Sequence, residues 1–533
     1  MEIPQHHIHD FVVRRGAVPG NPLAENPYWV PISATFEHES GEILEDIPGF
    51  YSGGDTWTVR FSPTRTGRWV GRTSSTIPTL SDVTLGPITC VEQEDDGQHG
   101  ILGIDPVHPQ RFAWSDGTPH LTLGFECDWL FAYHQTDPEQ CSRHLDLIAA
   151  RGFNTVITNV YAHTGFSTSE ARGDAPLPPE TSVYGPPEAY VFGGTNEDPD
   201  HETMNLAFFE EFDRLMHAMH TRGLVVHLMI QVQNKHVRWP DRLSAADNAY
   251  WRYVVARYQA FGNVIWDVGK ESYNLLRETG SHDYTLSRIA LIRHNDAYNH
   301  LVTVHDPEGA SLGRYSAVDE ACDFASHQVH TGCVDRYNRE ATRMRQILPK
   351  PYVNIEYGYE EGVETLKTYQ SRTTASWQDV LKWTYALLAA GGYPGYYYSN
   401  TAWDLIRFEP EPPGWIRYHY LRDFMDGLPF NEMAGMNVLV DRGYCLADPG
   451  RAYFIYLPEG GEALVDLTDL PSTRSPRGDW RPAEVDVRGR WMNIYSGQEQ
   501  TVTIEPTGWL TEIPNPLEDP DQPCVLAITY EEA

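Results

Sequence analysis

From about residue 105 to residue 430, short apolar runs alternate with stretches of helical periodicity. The runs are HLTLGFE (120–126), FNTVITNVY (153–161), GLVVHLMIQ (223–231), NVIWDVG (263–269), LVTVHD (301–306), DFASHQV (323–329), YVNIEYG (352–358) and GYYYSN (395–400). Each has the length and boundaries of a strand. Between them, residues 138–152, 204–223, 245–262 and 374–392 carry apolar positions at helical spacing and end in glycine, as helices often do. Eight alternating strand–helix units predict an α/β fold, a (β/α)8 TIM barrel over residues 101–430. A doubly wound sheet would bring a phosphate-binding glycine turn, and neither GxGxxG nor GxxxxGK[ST] occurs.

The pattern changes at both ends. WVPISATFEH (29–38) and TWTVRFSPTRTGRWVGRTSS (56–75) alternate apolar and polar residues and are punctuated by Gly and Pro, which predicts an N-terminal β-sandwich over residues 1–100. The acidic EQEDDGQHG (92–100) reads as a linker into the barrel. GMNVLVDRG, YCLADPGRAYFIYLPEGG, EVDVRGRWMNIYSG and QTVTIEP predict a C-terminal β-sandwich over 431–533. A long polar stretch, 163–203, follows the second strand, where a barrel loop forms a wall of the site.

Composition narrows the chemistry. With 74 Asp+Glu against 40 Lys+Arg the formal charge is −34, which argues against nucleic acid and anionic membrane partners. The 15 Trp and 30 Tyr favour carbohydrate, because flat C–H faces of sugars stack on aromatic rings, although the same residues also fill sandwich cores. The seven cysteines are scattered, with no CxxC pair, so neither a zinc ribbon nor a redox motif is indicated. Such a set suits a reducing compartment, and the first residues lack an apolar signal region, so a cytoplasmic location is expected. No apolar run of about 18 residues predicts a membrane helix. The HHIH run at 6–9 reads as an exposed terminal segment rather than a metal site.

Barrels place reacting groups at the C-terminal ends of their strands. The fourth run ends NVIWDVGKES, which puts Glu271 at its tip; the seventh ends YVNIEYGYEE, with Glu356 on or near its tip. Two carboxyls facing one cavity have the chemistry of acetal cleavage: one stays protonated to donate to the leaving oxygen, the other stays ionised to meet the sugar cation. Glu360 and Glu361 lie further along and read as surface charges. Other strand-end residues are candidate substrate contacts: Glu126, Asp128 and Trp129 after strand one, Asn159, Tyr161 and His163 after strand two, Gln231, Gln233 and Asn234 after strand three. Lys270 and Asn274 flank Glu271, and Tyr357 follows Glu356. His305 and Asp306 end strand five, His327 and His330 strand six, and Trp403 and Asp404 follow strand eight. Strand-end His and Asp also occur in metal-dependent barrel hydrolases, but these typically need a His-x-His pair on strand one, where Glu126, Cys127 and Asp128 stand instead. No metal and no cofactor is therefore expected. No GxSxG elbow is present.

FAWSDGTPHLTLGFECDWLF (112–131), RGFNTVITNVY (151–161), FGNVIWDVGKE (261–271) and KPYVNIEYGYE (350–360) resemble the apiosidase-like branch of the clan A glycoside hydrolases. NPYWVPISATF, GFYSGGDTWTVRFSP and TGRWVG resemble the small sandwich that precedes such barrels, and YCLADPGRAYFIYLPEGG resembles the sandwich that follows them. The resemblance implies a retaining glycosidase with Glu271 as acid/base and Glu356 as nucleophile. One position departs from it: many clan A enzymes carry Asn directly before the acid/base, to contact the sugar 2-hydroxyl, where this chain has Lys270, and Asn274 is a candidate substitute. An exo-acting enzyme on oligosaccharides or glycosides, furanosides among them, is the leading expectation. A non-catalytic carbohydrate-binding barrel and a metal-dependent hydrolase are the alternatives, and homo-oligomerisation is left open.

Overall fold

The computed structural model describes the chain except for residues 17–25, 93–96, 164–185, 278–280, 308–316, 363–373, 403–405, 407–410, 471, 475–479, 483–484, 508–509 and 533. Eight parallel strands form its centre: Gly124–Glu126, Thr155–Asn159, Val225–Val232, Val264–Lys270, Val302–Thr303, Ala325–His327, Tyr352–Asn354 and Tyr393–Tyr398. Numbered one to eight along the chain, they lie in the order 5-4-3-2-1-8-7-6. A parallel bridge between His305 and Ser326 joins the two ends of that path, so each strand has a neighbour on both sides. All eight predicted runs contribute a strand to this ring. The third, VVHLMIQV, is buried along its whole length, as expected where helices cover one face and side chains fill the other.

The four predicted helices form as Pro138–Ala150, Leu206–His220, Ala245–Tyr258 and Trp377–Ala389. Each starts on a side chain that accepts from a first-turn N–H: Asp137, Asn205, Ser244 and Ser376 respectively. Such caps satisfy donors that the helix itself leaves unpaired. Gly152 ends the first of them with φ +93, a conformation that costs other residues strain. Gly262 serves a different purpose: it lies against the backbone of Gly100, where a side chain would not fit.

Residues 2–91 contribute seven strands in one hydrogen-bonded path. Ile43–Gly53 pairs with Ile32–His38 through its first half and with Thr56–Phe61 through its second. The path therefore folds over, and Phe36 stacks on Phe61 at 3.9 Å. The histidines at 6, 7 and 9 are half-buried rather than exposed, and His9 pairs with Phe61 as the first residue of a strand. At the other end a six-stranded sheet includes Tyr444–Asp448, Ala452–Leu457, Val485–Asn493 and Cys524–Glu532. It packs on the ring's last long helix, with Tyr385 against Phe454 and Tyr456 at 6.5 and 5.5 Å. The seven cysteines are free, Cys333 being the exposed one. No helix among the described residues is long and apolar enough to cross a membrane.

A buried ion cluster docks the N-terminal sheet on the ring. Arg60, 2% exposed, binds Asp10 at 2.7 Å, Asp213 at 2.9 Å and the carbonyl of Arg257 at 2.7 Å. Arg257, itself buried, holds the other side of Asp213 at 2.8 Å. Replacing Asp213 with Ala leaves two buried guanidiniums facing each other without their shared anion. We expect a loss of about 3 kcal/mol, the lower end for a broken buried pair because Asp213 keeps some solvent contact. Denaturant unfolding measures it, and a midpoint equal to wild type would show that the cluster is not what holds the sheet in place.

Candidate active site

Phe112 lies beside the strand starts Gly124 and Thr155, and its ring meets Phe324 edge-on at 5.2 Å. Above this, inside the ring, His227 Nε2 lies 2.7 Å from Asp267 Oδ2. The other oxygen of Asp267 accepts from the backbone N–H of Gly269 and of His305, both at 2.9 Å. One buried carboxylate thus fixes the relative heights of the fourth and fifth strands where the polar residues begin.

Strand four then delivers Lys270 and Glu271. Glu271 has φ +52, unusual for a residue with a side chain and the kind of strain found at functional sites. Its Oε2 accepts from Tyr273 Oη at 2.9 Å and Asn274 Nδ2 at 3.1 Å. Glu356 follows strand seven and is 2% exposed. Its Oε1 accepts from Tyr359 Oη at 2.6 Å and Gln328 Nε2 at 2.9 Å, with His330 Nε2 at 3.4 Å. Its Oε2 makes no hydrogen bond among the described residues and faces His305 Nε2 at 3.7 Å.

Lys270 ties the first strand to the fourth. Its ammonium lies 2.6 and 2.7 Å from the two oxygens of Asp128 and 3.5 Å from Glu126. Lys235 reaches Asp128 at 3.8 Å and sits over the ring of Trp129 at 5.4 Å. The ring of Tyr397 lies 5.4 Å from the Lys270 ammonium. Burial alone would make Lys270 a weaker base, but the charges of Asp128, Glu126 and Glu356 outweigh it and hold the ammonium ionised. Burial and the Asp128 charge push Glu126 well above the usual carboxylate range, with the Lys270 ammonium opposing.

The two carboxyls are driven in opposite directions. Glu271 is raised above the ordinary glutamate value by burial and by the negative charge of Glu356, with Lys270, Tyr273 and Lys235 opposing. Burial would also raise Glu356, but hydrogen bonding from His330 and the charges of His330, Lys270 and His305 win and bring it to about 2. His305 is itself lowered to about 4 by burial, with the charges of Glu356 and Asp267 opposing. Among the described residues, no group of three or more His, Cys, Asp or Glu side chains is arranged to hold a metal ion.

Lys270 with Asp128 and Glu126, Glu271 with Asn274, and Glu356 with His305 and His330 form three groups coupled through the charges of Lys270 and Glu356, and Trp129 borders the first through Lys235. Three other candidates point elsewhere. Tyr357 bonds Thr384 and Tyr418 at 2.7 and 2.9 Å, among the outer helices, because its side chain alternates with that of Glu356. His327 turns outward to Asp319 at 2.9 Å, and Gln231 to Tyr284 and Asp247 at 3.2 and 3.5 Å. Tyr161 packs edge-on against Tyr190, and His163 faces Glu197 at 3.6 Å while its backbone N–H donates to the carbonyl of Lys235 at 3.2 Å. Asn234 precedes Lys235 with its buried side-chain oxygen unbonded. Trp403 and Asp404 lie outside the described residues, as does much of the 163–203 loop. Glu360 is not a surface charge: it is 1% exposed, accepts from Tyr396 Oη at 2.6 Å and Gly414 N at 2.7 Å, and is pushed up to about 7 by burial. Glu361 is exposed.

Gln328, Tyr359, Tyr273 and Lys235 were not expected here. A signal for Lys235 was available, since lysine occurs only at 235, 270, 350, 367 and 382, and all other strong cations are Arg.

No curated protein matches the sequence. A crystal structure of a candidate glycoside hydrolase from Bacteroides vulgatus ATCC 8482 superposes with a TM-score of 0.77 at 20% identity, covering 99% of this chain and 100% of that one. A glycoside hydrolase family 5 structure from the same organism gives 0.59 at 16% identity over 82% of this chain and 95% of its own. These likenesses establish a shared fold. Residues 5–76 match a domain of unknown function, DUF5060. Residues 109–431, more than half the chain and the whole of the ring, match the model of the apiosidase-like catalytic domain, and the chain belongs to that family.

Proposed function

We propose that the chain is a retaining glycoside hydrolase, that its ring is a (β/α)8 barrel of the clan A type flanked by two β-sandwiches, and that Glu271 is the general acid/base and Glu356 the nucleophile. What carries this reading is the setting of two carboxyls past strands four and seven: Glu356 accepts from Tyr359 and Gln328 with His305 and His330 beside it, whereas Glu271, held by Tyr273 and Asn274, is raised by burial and by the Glu356 charge. Environments that split a pair of acids assign one as proton donor and the other as anion. Protonated Glu271 gives its proton to the leaving oxygen as Glu356 Oε2 bonds to the anomeric carbon and the glycosidic C–O bond breaks. Glu271, now ionised, takes a proton from water; the resulting hydroxyl attacks the same carbon and the Glu356 carboxylate leaves. Two inversions retain the configuration. The name of the family supports a terminal pentose as the sugar released, a furanoside first, by exo action.

The test is turnover on a panel of aryl pentosides and hexosides, with the first-formed anomer read by proton NMR. The opposite anomer would overturn the retaining mechanism, and absence of turnover on every member would favour a binding protein.

The pH dependence follows from the same pair. The reactive form has Glu356 ionised and Glu271 protonated. It is present above the Glu356 value of about 2 and is lost as pH rises through the raised Glu271 value. We expect kcat/KM to be level across mildly acidic pH and to fall on the alkaline side with one deprotonation, the apparent value belonging to the coupled pair. A rate that climbs through neutral pH would reverse the two roles.

A further inference from the structure

Away from the strand ends, a cleft of about 890 Å³ runs between the N-terminal sheet and the outer wall of the ring. This is a volume typical of ligand sites. One wall is the helix Ala245–Tyr258, where Ala245, Ala249 and Ala256 leave the space open and Asn248 and Arg252 supply polar groups. The opposite wall is built from the Pro27–Trp29 turn and the strand Ile43–Gly53.

The chemistry of this lining is mixed in a particular way. Trp29 is 41% exposed, a large aromatic face open to solvent. Beside it Tyr28 is held rigid, its ring edge-on to Tyr51 at 5.0 Å and its hydroxyl bonded to the Met204 carbonyl at 2.7 Å. Arg252 and His294 are exposed on the rim and make no hydrogen bond or ion pair among the described residues. Asp46, at φ +52, adds an acceptor. An open indole flanked by uncommitted donors and a carboxylate matches a ligand with one apolar face and a girdle of hydroxyls, which is the description of a sugar ring. From Ala245 to Ala256 the helix runs about 16 Å at its regular rise. That length suits an extended chain of sugars rather than one ring. The formal charge of −34 disfavours a polyanion.

We propose that this cleft is a second, non-catalytic binding site for a linear neutral oligosaccharide. It rests on the glycosidase reading only for the class of ligand, and holds the glycan at a distance from the reacting carboxyls. The test uses the full chain carrying Glu356→Gln, titrated calorimetrically with cellohexaose, xylohexaose, mannohexaose and arabinohexaose. At least one should bind, and Trp29→Ala should weaken that binding about tenfold or more. Arg252→Ala should also weaken it, and both residues are exposed enough for the fold to tolerate their loss. In a chain with Glu356 intact, Trp29→Ala should leave aryl-glycoside turnover unchanged. Binding of none of the four, or binding that neither substitution weakens, overturns the proposal. Turnover without Trp29-dependent binding sinks this site and leaves the glycosidase standing; Trp29-dependent binding without turnover on any aryl glycoside does the reverse.

Discussion

Glu356→Gln is expected to lower kcat/KM by about 10⁴-fold or more, the scale on which single removals of a covalent nucleophile act. The substitution keeps the shape of the side chain, and the amide oxygen still accepts from Tyr359 and Gln328, which now bond Oε1 at 2.6 and 2.9 Å. What disappears is the charge that bonds to the anomeric carbon. The melting temperature should therefore stay near wild type while turnover collapses, and this combination separates a chemical role from a structural one. Glu271→Gln provides the contrast. It should cost about 10²–10⁴-fold on substrates with poor leaving groups, where the proton matters most, and much less on activated aryl glycosides. Residual activity within tenfold of wild type in Glu356→Gln would remove the nucleophile assignment.

The second large effect is expected at Lys270. Its ammonium is 3% exposed by residue and sits between Asp128 at 2.6 Å and Glu126 at 3.5 Å. Lys270→Met removes the cation and strands Asp128, whose remaining cation is Lys235 at 3.8 Å. Breaking a buried pair from one side costs about 3–5 kcal/mol, because the surviving charge keeps its desolvation penalty. The same substitution acts on the reaction. Lys270 lowers both Glu271 and Glu356, so its loss should move both limbs of the kcat/KM profile to higher pH. A melting curve and a pH profile measured together test the two halves of this prediction. An unchanged profile in a destabilised protein would leave Lys270 a structural tie and nothing more.

Glu360 and Glu356 show why the site was only partly legible in the sequence. Both are glutamates past the seventh strand, and both are buried, but Glu356 joins the network at the ring's mouth and Glu360 turns to Tyr396 and Gly414. The apolar run that precedes them locates the end of a strand without saying which way each following residue faces. For the same reason Tyr357, His327 and Gln231 were expected in the pocket and face the helices. Alternation along an extended chain is strict, but its phase depends on where the strand meets the ring, and that is set by neighbours distant in sequence. Lys235 illustrates the converse, a loop residue whose place beside Asp128 follows from long-range packing.

The elements and their order were readable from local pattern. Apolar periodicity, capping residues and terminal glycines are local properties, and eight strands alternating with helices emerged from them together with Glu271 and Glu356 at two strand ends. The acidities of these two glutamates are set instead by long-range packing. Their acidities depend on burial and on the charges of Lys270, His305 and His330, which arrive from other strands, and electrostatic energy depends on distance in space rather than separation along the chain.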